Sequence, residues 1–348
     1  MNIGLATSGL WRLRDAVELL TDGEACKLAY WGGQLDAIAG WGHKPTAAKA
    51  RQKARKLKKP YVAFEDGFLR SILPGDSEMP LGMVMDRTGI YYDASRPSDV
   101  ETCINRRQSI GSEMSVIRAM EHLRASRLSK YNYALIDNLG KIDLLSSDRK
   151  ERVLVVDQTA GDASIIGAGA TAESFDVMLA AAVSENPGSE ILLRVHPETM
   201  LGQKLGHFSL DRLVSLAKKN SELERCHLEG RLRFMSEPVN PWVLLEACAK
   251  VYCVSSQLGF EGVLAGCEVH CFGTPFYGGW GITCDRSATQ MSRRKTATVE
   301  AVFAGAYIDY SFYIDHESKS LMNIHEAIDV LSQRRKSFQT AQKLISDV

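Results

Sequence analysis

Four polar motifs stand where short apolar runs end. They are Glu65-Asp66-Gly67 after Tyr61–Phe64, Asp157-Gln158-Thr159-Ala160-Gly161-Asp162 after Val153–Val156, His196-Pro197 after Ile191–Val195, and Ser255-Ser256 after Val251–Val254. Carboxylates, an imidazole and paired hydroxyls are the groups that group transfer from a phosphorylated donor uses. Glycosyl transfer with retention needs a nucleophilic carboxylate and an acid/base close together, and Glu65, Asp66, Asp157 and Asp162 are the candidates. Pro197 restricts the backbone of His196, whose ring can donate to a phosphate oxygen. Ser255 and Ser256 precede a helix expected from about Leu258, so hydroxyls and free helix N–H groups meet there as a small anion site. Glu261, early in that helix, can accept from ribose hydroxyls. Each residue also has a plainer use, in an Asx turn, a helix cap or a favourable first-turn charge. The joint placement of four motifs at strand ends is what points to a site.

Other chemistries lack their marks. The chain has no glycine-rich dinucleotide fingerprint, no P-loop and no H-E-x-x-H helix. It also lacks a D-x-D pair in a suitable loop, so a metal-independent reaction is expected, with no cofactor. Phosphate charge then falls to His196, the serines, a helix start and Arg194, which suits a nucleoside monophosphate leaving group better than a diphosphate. Forty-two Lys and Arg residues balance 42 Asp and Glu residues, which argues against a nucleic-acid coat. One local basic run, Lys49 to Lys59, has helical spacing and reads as a solvated face or a contact for anionic lipid or acceptor. No run reaches the ~18–20 apolar residues of a membrane span, and the N-terminus lacks signal-peptide form. The chain is therefore expected in the cytoplasm, with peripheral contact at the inner membrane face open to it. The eight cysteines include no C-x-x-C pair and read as reduced thiols.

The elements that must position these groups alternate. Strands are expected over Asn2–Ala6, Lys27–Tyr30, Ala37–Gly40 and Tyr61–Phe64, with a small hairpin pairing Met83–Met85 and Ile90–Tyr92. A helical stretch follows, from Pro97 to about Arg127. Polar residues Lys141–Arg152 separate this half from a second alternation. It comprises strands Val153–Val156, Ile191–Val195, Val251–Val254 and Val269–Phe272, with helices Ala172–Ser184, Leu210–Lys218, Pro241–Ala249 and Leu258–Ala265. Strands alternating with helices imply parallel, doubly wound sheets. The expected fold class is α/β of GT-B type, two Rossmann-like domains facing a central cleft. The first covers 1–145 on the acceptor side, the second 146–310 on the donor side. An amphipathic helical segment, 311–348, is expected to pack at the junction.

The motifs, in this order, resemble the KpsC-type capsule polysaccharide β-Kdo transferases and related Kdo transferase modules of O-antigen synthesis. The matching segments are Trp41-Gly42-His43-Lys44-Pro45, Glu65-Asp66-Gly67-Phe68-Leu69-Arg70-Ser71 and Gly89-Ile90-Tyr91-Tyr92-Asp93. They continue with Asp157-Gln158-Thr159, Gly161-Asp162-Ala163-Ser164-Ile165, His196-Pro197, Ser255-Ser256-Gln257-Leu258-Gly259-Phe260-Glu261 and Pro275-Phe276-Tyr277-Gly278-Gly279-Trp280-Gly281. The resemblance implies a CMP-β-Kdo donor, retention of configuration and a Kdo-terminated or lipid-linked glycan acceptor. Asp162 would be the nucleophile and Glu65 the acid/base. His196, Pro197, Ser255, Ser256, Gln158 and Arg194 would hold the donor, with Glu261 on the ribose. Asp66, Arg70, His43, Lys44, Tyr277 and Trp280 would face the acceptor or close the cleft. KpsC-type proteins carry two such modules in tandem, and this chain has room for one.

Overall fold

The computed structural model describes residues 1–28, 34–111, 113–138, 151–195, 199, 204–287 and 291–346. Its first half builds strands β1 (Asn2–Leu5), β2 (Glu24–Lys27), β3 (Ala37–Trp41), β4 (Tyr61–Asp66) and β5 (Gly82–Asp86). The second half builds β6 (Arg152–Val156), β7 (Glu190–Arg194), β8 (Leu232–Met235), β9 (Lys250–Cys253), β10 (Glu268–Cys271) and the short β11 (Cys284–Asp285). Both sheets reverse their direction of growth in the middle. In the first, the chain goes from β1 to β2 on one side and returns to β3 on the other; in the second, β6, β7 and β8 run one way and β9 crosses back beside β6. Such reversals leave a crevice at the carboxyl ends of the two central strands, where ligands bind. The second sheet is parallel throughout.

Local sequence explains the helices that back these sheets. Ala172–Ser184 buries Phe175, Met178, Leu179, Ala182 and Val183, an i, i+3, i+4, i+7, i+8 stripe, behind a capping box on Thr171 and Ser174. The basic helix Ala48–Leu57 buries only Ala50 and Ala54, so Lys49, Lys53, Arg55 and Lys56 are left on its exposed side. One core spans both domains, with Leu69, Ile104 and Leu123 packed in a common cluster with Leu154, Leu258 and Phe276.

The C-terminal segment departs from expectation. Strands β12 (Ser311–Asp315) and β13 (Ser320–Met322) return to the first sheet, and β12 pairs antiparallel with β5. The segment 311–348 is thus partly strand, and only Ile324–Ser346 is helical, packed on helix Met114–Ser126. The expected hairpin of Met83–Met85 with Ile90–Tyr92 is absent because Asp86 turns the chain away. Its carboxylate accepts from the N–H groups of Thr88, Gly89 and Asp99 and from the Tyr310 hydroxyl, and the edge of β5 goes to β12 instead. Strand β8 and helix Ser221–Leu228 are further elements the pattern did not single out.

Candidate active site

A cleft of about 850 Å³ lies between the carboxyl ends of both sheets. Its first-domain wall includes Thr7, Ser8, Lys44, Glu65, Asp66 and Lys130. Its second-domain wall includes Gln158, Asp162, Ser164, Arg194, Ser255 and Ser256.

Glu65 closes β4 and is 3% exposed. Its Oε1 accepts from the Asp66 N–H, and Lys44 Nζ stands 3.2 Å from each carboxylate oxygen. Oε2 makes no hydrogen bond of good geometry among the described residues, an uncommon state for a buried carboxylate oxygen. Burial pushes its pKa up, Lys44 opposes this and Asp66 adds to it. Gly42, at φ +52°, makes the arrangement possible. A Cβ there would stand 2.3 Å from the Tyr92 hydroxyl and 2.8 Å from Glu65 Oε2.

Asp162 follows Gly161, whose φ of +78° turns the loop after β6. Its Oδ1 accepts from the Ser164 N–H at 2.8 Å and caps helix Ala163–Gly167, while the residue is otherwise exposed. Asp157 is used differently. It is 1% exposed and gathers the N–H groups of Gln158, His207 and Phe208, so it anchors two loops. Burial raises its pKa to about 6. Of the two loop aspartates, Asp162 is the one with an oxygen that takes no hydrogen bond among the described residues. Glu65, Asp66 and Asp162 line the same cleft as Tyr91.

The anion side is a hydroxyl cluster. Gln158 is its hub: Oε1 accepts from the Ser255 N–H at 2.9 Å, and Nε2 donates to Ser255 Oγ at 3.1 Å and Ser164 Oγ at 3.3 Å. Ser256 caps helix Gln257–Ala265, so a helix start opens beside these hydroxyls. Arg194 reaches this wall from the end of β7, with Nη1 donating to the Val239 carbonyl. Glu261 lines the cleft but is already engaged. Ser129 Oγ lies 2.6 Å from both of its oxygens and Gln257 Nε2 donates to one of them, and burial raises its pKa to about 7. A ribose contact would have to displace Ser129. His196 and Pro197 lie outside the described residues.

Four assignments on the acceptor side are corrected. Tyr277 and Trp280 are 0% exposed and do not line the cleft. The Tyr277 hydroxyl donates to the Ser256 carbonyl, which holds the serine pair in place, and the Trp280 indole donates to the Phe276 carbonyl. His43 is off the cleft wall, with Nδ1 3.3 Å from Asp93 Oδ2. That contact holds the Asp93 carboxyl at about 2. Arg70 lines the cleft but directs its donors to Asp66, Ser71 and the carbonyls of Leu73 and Gly75, so it positions Asp66. Lys44 and Asp66 remain on the wall as expected.

Sequence reasoning passed over Lys130, a cleft lysine in a stretch without periodicity, and gave Ser164 no role. One trio among the described residues has metal-ligand composition: Glu268, His270 and Cys284. It lies outside the cleft. Arg286 Nη2 donates to His270 Nδ1 at 3.0 Å, which puts the ring proton on Nε2 against Glu268 and opposes a cation there.

Two Rossmann-like domains presenting both sheet reversals to one cleft define the GT-B class of glycosyltransferase folds. The family described as capsule polysaccharide biosynthesis protein matches residues 36–142 and 120–313, and the chain belongs to it. It is similar to the capsule polysaccharide modification protein LipA of Neisseria meningitidis serogroup B, with 36% identity over 95% of this chain and 46% of that protein. The lipopolysaccharide-processing protein LpsZ of Rhizobium meliloti is 35% identical over 84% of this chain and 63% of its own length. This chain thus spans about half to two thirds of those relatives. Among solved structures, the β-Kdo 2,4 transferase of Thermosulfurimonas dismutans KpsC matches with TM-score 0.82 and 36% identity, covering 95% of this chain and 98% of that one. The resemblance to KpsC-type proteins read from the motifs is borne out. The β-Kdo 2,7 transferase of the same KpsC, 21% identical with TM-score 0.67 over 96% of this chain and 99% of that one, shares the fold.

Proposed function

We propose that this chain is a retaining β-Kdo transferase that uses CMP-β-Kdo to extend a Kdo-containing surface glycan. The observation that carries the reading is Asp162, held by a glycine turn with one carboxylate oxygen unspent, in the same cleft as the buried, underbonded Glu65. Similarity to the KpsC β-Kdo 2,4 transferase supports the donor and favours the same linkage. Asp162 attacks C2 of Kdo as the C2–O bond to phosphate breaks and CMP leaves with the electron pair. An acceptor hydroxyl then attacks C2, Asp162 departs and Glu65 takes the hydroxyl proton. A raised pKa makes Glu65 a stronger base for that step. The hydroxyls of Ser164, Ser255 and Ser256, the helix start behind them and Arg194 meet the phosphate, with His196, just after Arg194 in sequence, as a further donor, and no metal is invoked. The exposed basic side of helix Ala48–Leu57 suits contact with the inner membrane face or with capsule assembly proteins, on the cytoplasmic side. Among the described residues no helix is long and apolar enough to cross a membrane.

The test is incubation with CMP-Kdo, generated in situ by a CMP-Kdo synthetase and freed of magnesium with EDTA, followed by intact-protein mass spectrometry. A mass gain of one Kdo residue on the wild type and none on Asp162→Ala, which should still bind CMP, is expected. Product formed without an adduct would overturn the covalent step, and inactivity restored by added Mg²⁺ would overturn the metal-free phosphate site.

A further inference from the structure

Lys130 is a cleft cation to which this mechanism gives no task. Its neighbours on the first-domain wall are paired: Arg12 reaches Asp76, Lys44 reaches Glu65 and Arg70 reaches Asp66. Arg194, opposite, has placed Nη1 on a carbonyl. Among the described residues the contact recorded for Lys130 Nζ is the Tyr131 ring, 5.7 Å away. The backbone beneath it is fixed. The Lys130 carbonyl accepts from the N–H groups of Arg70 and Ser71, and Asn132 Nδ2 ties Ser71 to Ser129. Burial opposes the ammonium charge, but the oxygens of Tyr91, Tyr131, Asp66 and Glu65 outweigh it and hold the pKa well above the ordinary lysine value.

The ion pairing of the cleft gives this cation a purpose. Lys44 pairs with Glu65 and Arg70 with Asp66, while Lys130 and Asp162 line the cleft without an ion pair among the described residues. A 2-ulosonate donor carries a carboxylate on the very carbon that Asp162 must attack. Two carboxylates converging on one carbon repel each other, and a fixed cation beside them offsets that repulsion in the transition state. A neutral aldose would bring no such anion and would leave the ammonium without a carboxylate partner in the cleft.

We propose that Lys130 forms the carboxylate subsite of this cleft, its ammonium binding the carboxylate on the reacting carbon of a 2-ulosonate donor and selecting acidic ketoses over neutral aldoses. The assignment rests on the Kdo transferase reading above. The other anion that could occupy the subsite is the donor phosphate, and CMP alone separates the two because it carries the phosphate without the sugar.

The experiment measures CMP affinity by calorimetry and CMP release from CMP-Kdo, with a Kdo-terminated acceptor, for wild type, Lys130→Met and Lys130→Gln. Loss of a buried charge-assisted bond predicts kcat/KM on the order of 100-fold lower in both variants, with CMP affinity within about twofold of wild type. Retained CMP binding also reports an intact fold. Turnover of either variant within about threefold of an active wild type would overturn the subsite and leave the transferase reading standing. Weakened CMP binding in both variants would assign Lys130 to the phosphate or to the fold, and would overturn it too. A wild type that binds CMP but releases none from CMP-Kdo would sink the Kdo reading and this subsite with it.

Discussion

Glu261→Gln should make the protein more stable above neutral pH and change little in acid. The Glu261 carboxyl is 1% exposed, bonded to Ser129 and Gln257, and burial raises its pKa from an ordinary 4.5 to about 7. A carboxyl whose folded pKa is raised favours the folded state most when protonated. That contribution is complete below about pH 4.5 and is lost as pH rises through about 7. At about 1.4 kcal/mol per pH unit, the interval amounts to about 3 kcal/mol, an order-of-magnitude figure. Glutamine keeps the shape and a carbonyl oxygen for the Gln257 amide but does not titrate. With an unfolding entropy of about 2.1 cal/mol/K per residue, 3 kcal/mol in a chain of this length is about 4 °C in Tm. Asp157, Asp86 and Glu65 have raised pKa values as well, so the wild type should lose stability from pH 5 to 8 through several groups. The difference between variant and wild type isolates one of them. Thermal melts of both proteins at half-unit steps between pH 4.5 and 8.5 should show the Tm gap opening in favour of the variant from about pH 4.5 and levelling off near pH 7. Parallel curves, or a gap that closes with rising pH, would refute the argument that the buried carboxylate titrates there.

Two further substitutions probe the frame around the site. Gly42→Ala forces a Cβ against the Tyr92 hydroxyl and Glu65 Oε2 at a φ of +52°, so it should cost about 1–3 kcal/mol. Its kcat should fall more than its CMP affinity, and a fully active variant would show that Gly42 does not set the Glu65 position. Arg294→Ala removes a guanidinium that bonds Glu101 and the carbonyls of Pro275 and Gly278. Leaving the buried Glu101 with half of its ion pairing should cost about 3 kcal/mol or more, read as a lower urea midpoint with an unchanged m-value.

Glu65, Asp162 and the serine pair were legible because sheet geometry brings strand ends to one place, and the strands preceding them are short apolar runs. The same rule carried the GT-B class, since it needs only that helices and strands alternate twice. What failed to show was what depends on distant partners. The sequence Ser311–Asp315 is a plausible strand in isolation, but nothing local says that it adds to β5, more than 200 residues earlier in the chain. Glu101 and Arg294 look like surface charges on a helix and in a loop until the fold places them 2.8 Å apart.

Tyr277 and Trp280 illustrate a subtler failure. Aromatic rings among glycines suit a flap over a ligand, and they equally suit a tight turn whose rings fill the space that glycines leave empty. The second use prevailed. A Cβ on Gly259 would meet the Tyr277 hydroxyl at 2.1 Å, so helix Gln257–Ala265 approaches the ring closely, and the hydroxyl ends on the Ser256 carbonyl. Gly259 is therefore part of how the serine pair is aimed. Tyr277 acts on the site from behind, through the backbone of Ser256, while Pro275 and Phe276 of the same segment line the cleft. Lys130 is the converse case: an unremarkable lysine in sequence becomes a half-buried cleft cation because bonds to Arg70 and Ser71 draw its backbone against the loop that follows Glu65. Both cases place part of the site's specificity in backbone contacts between segments, which residue types alone do not disclose.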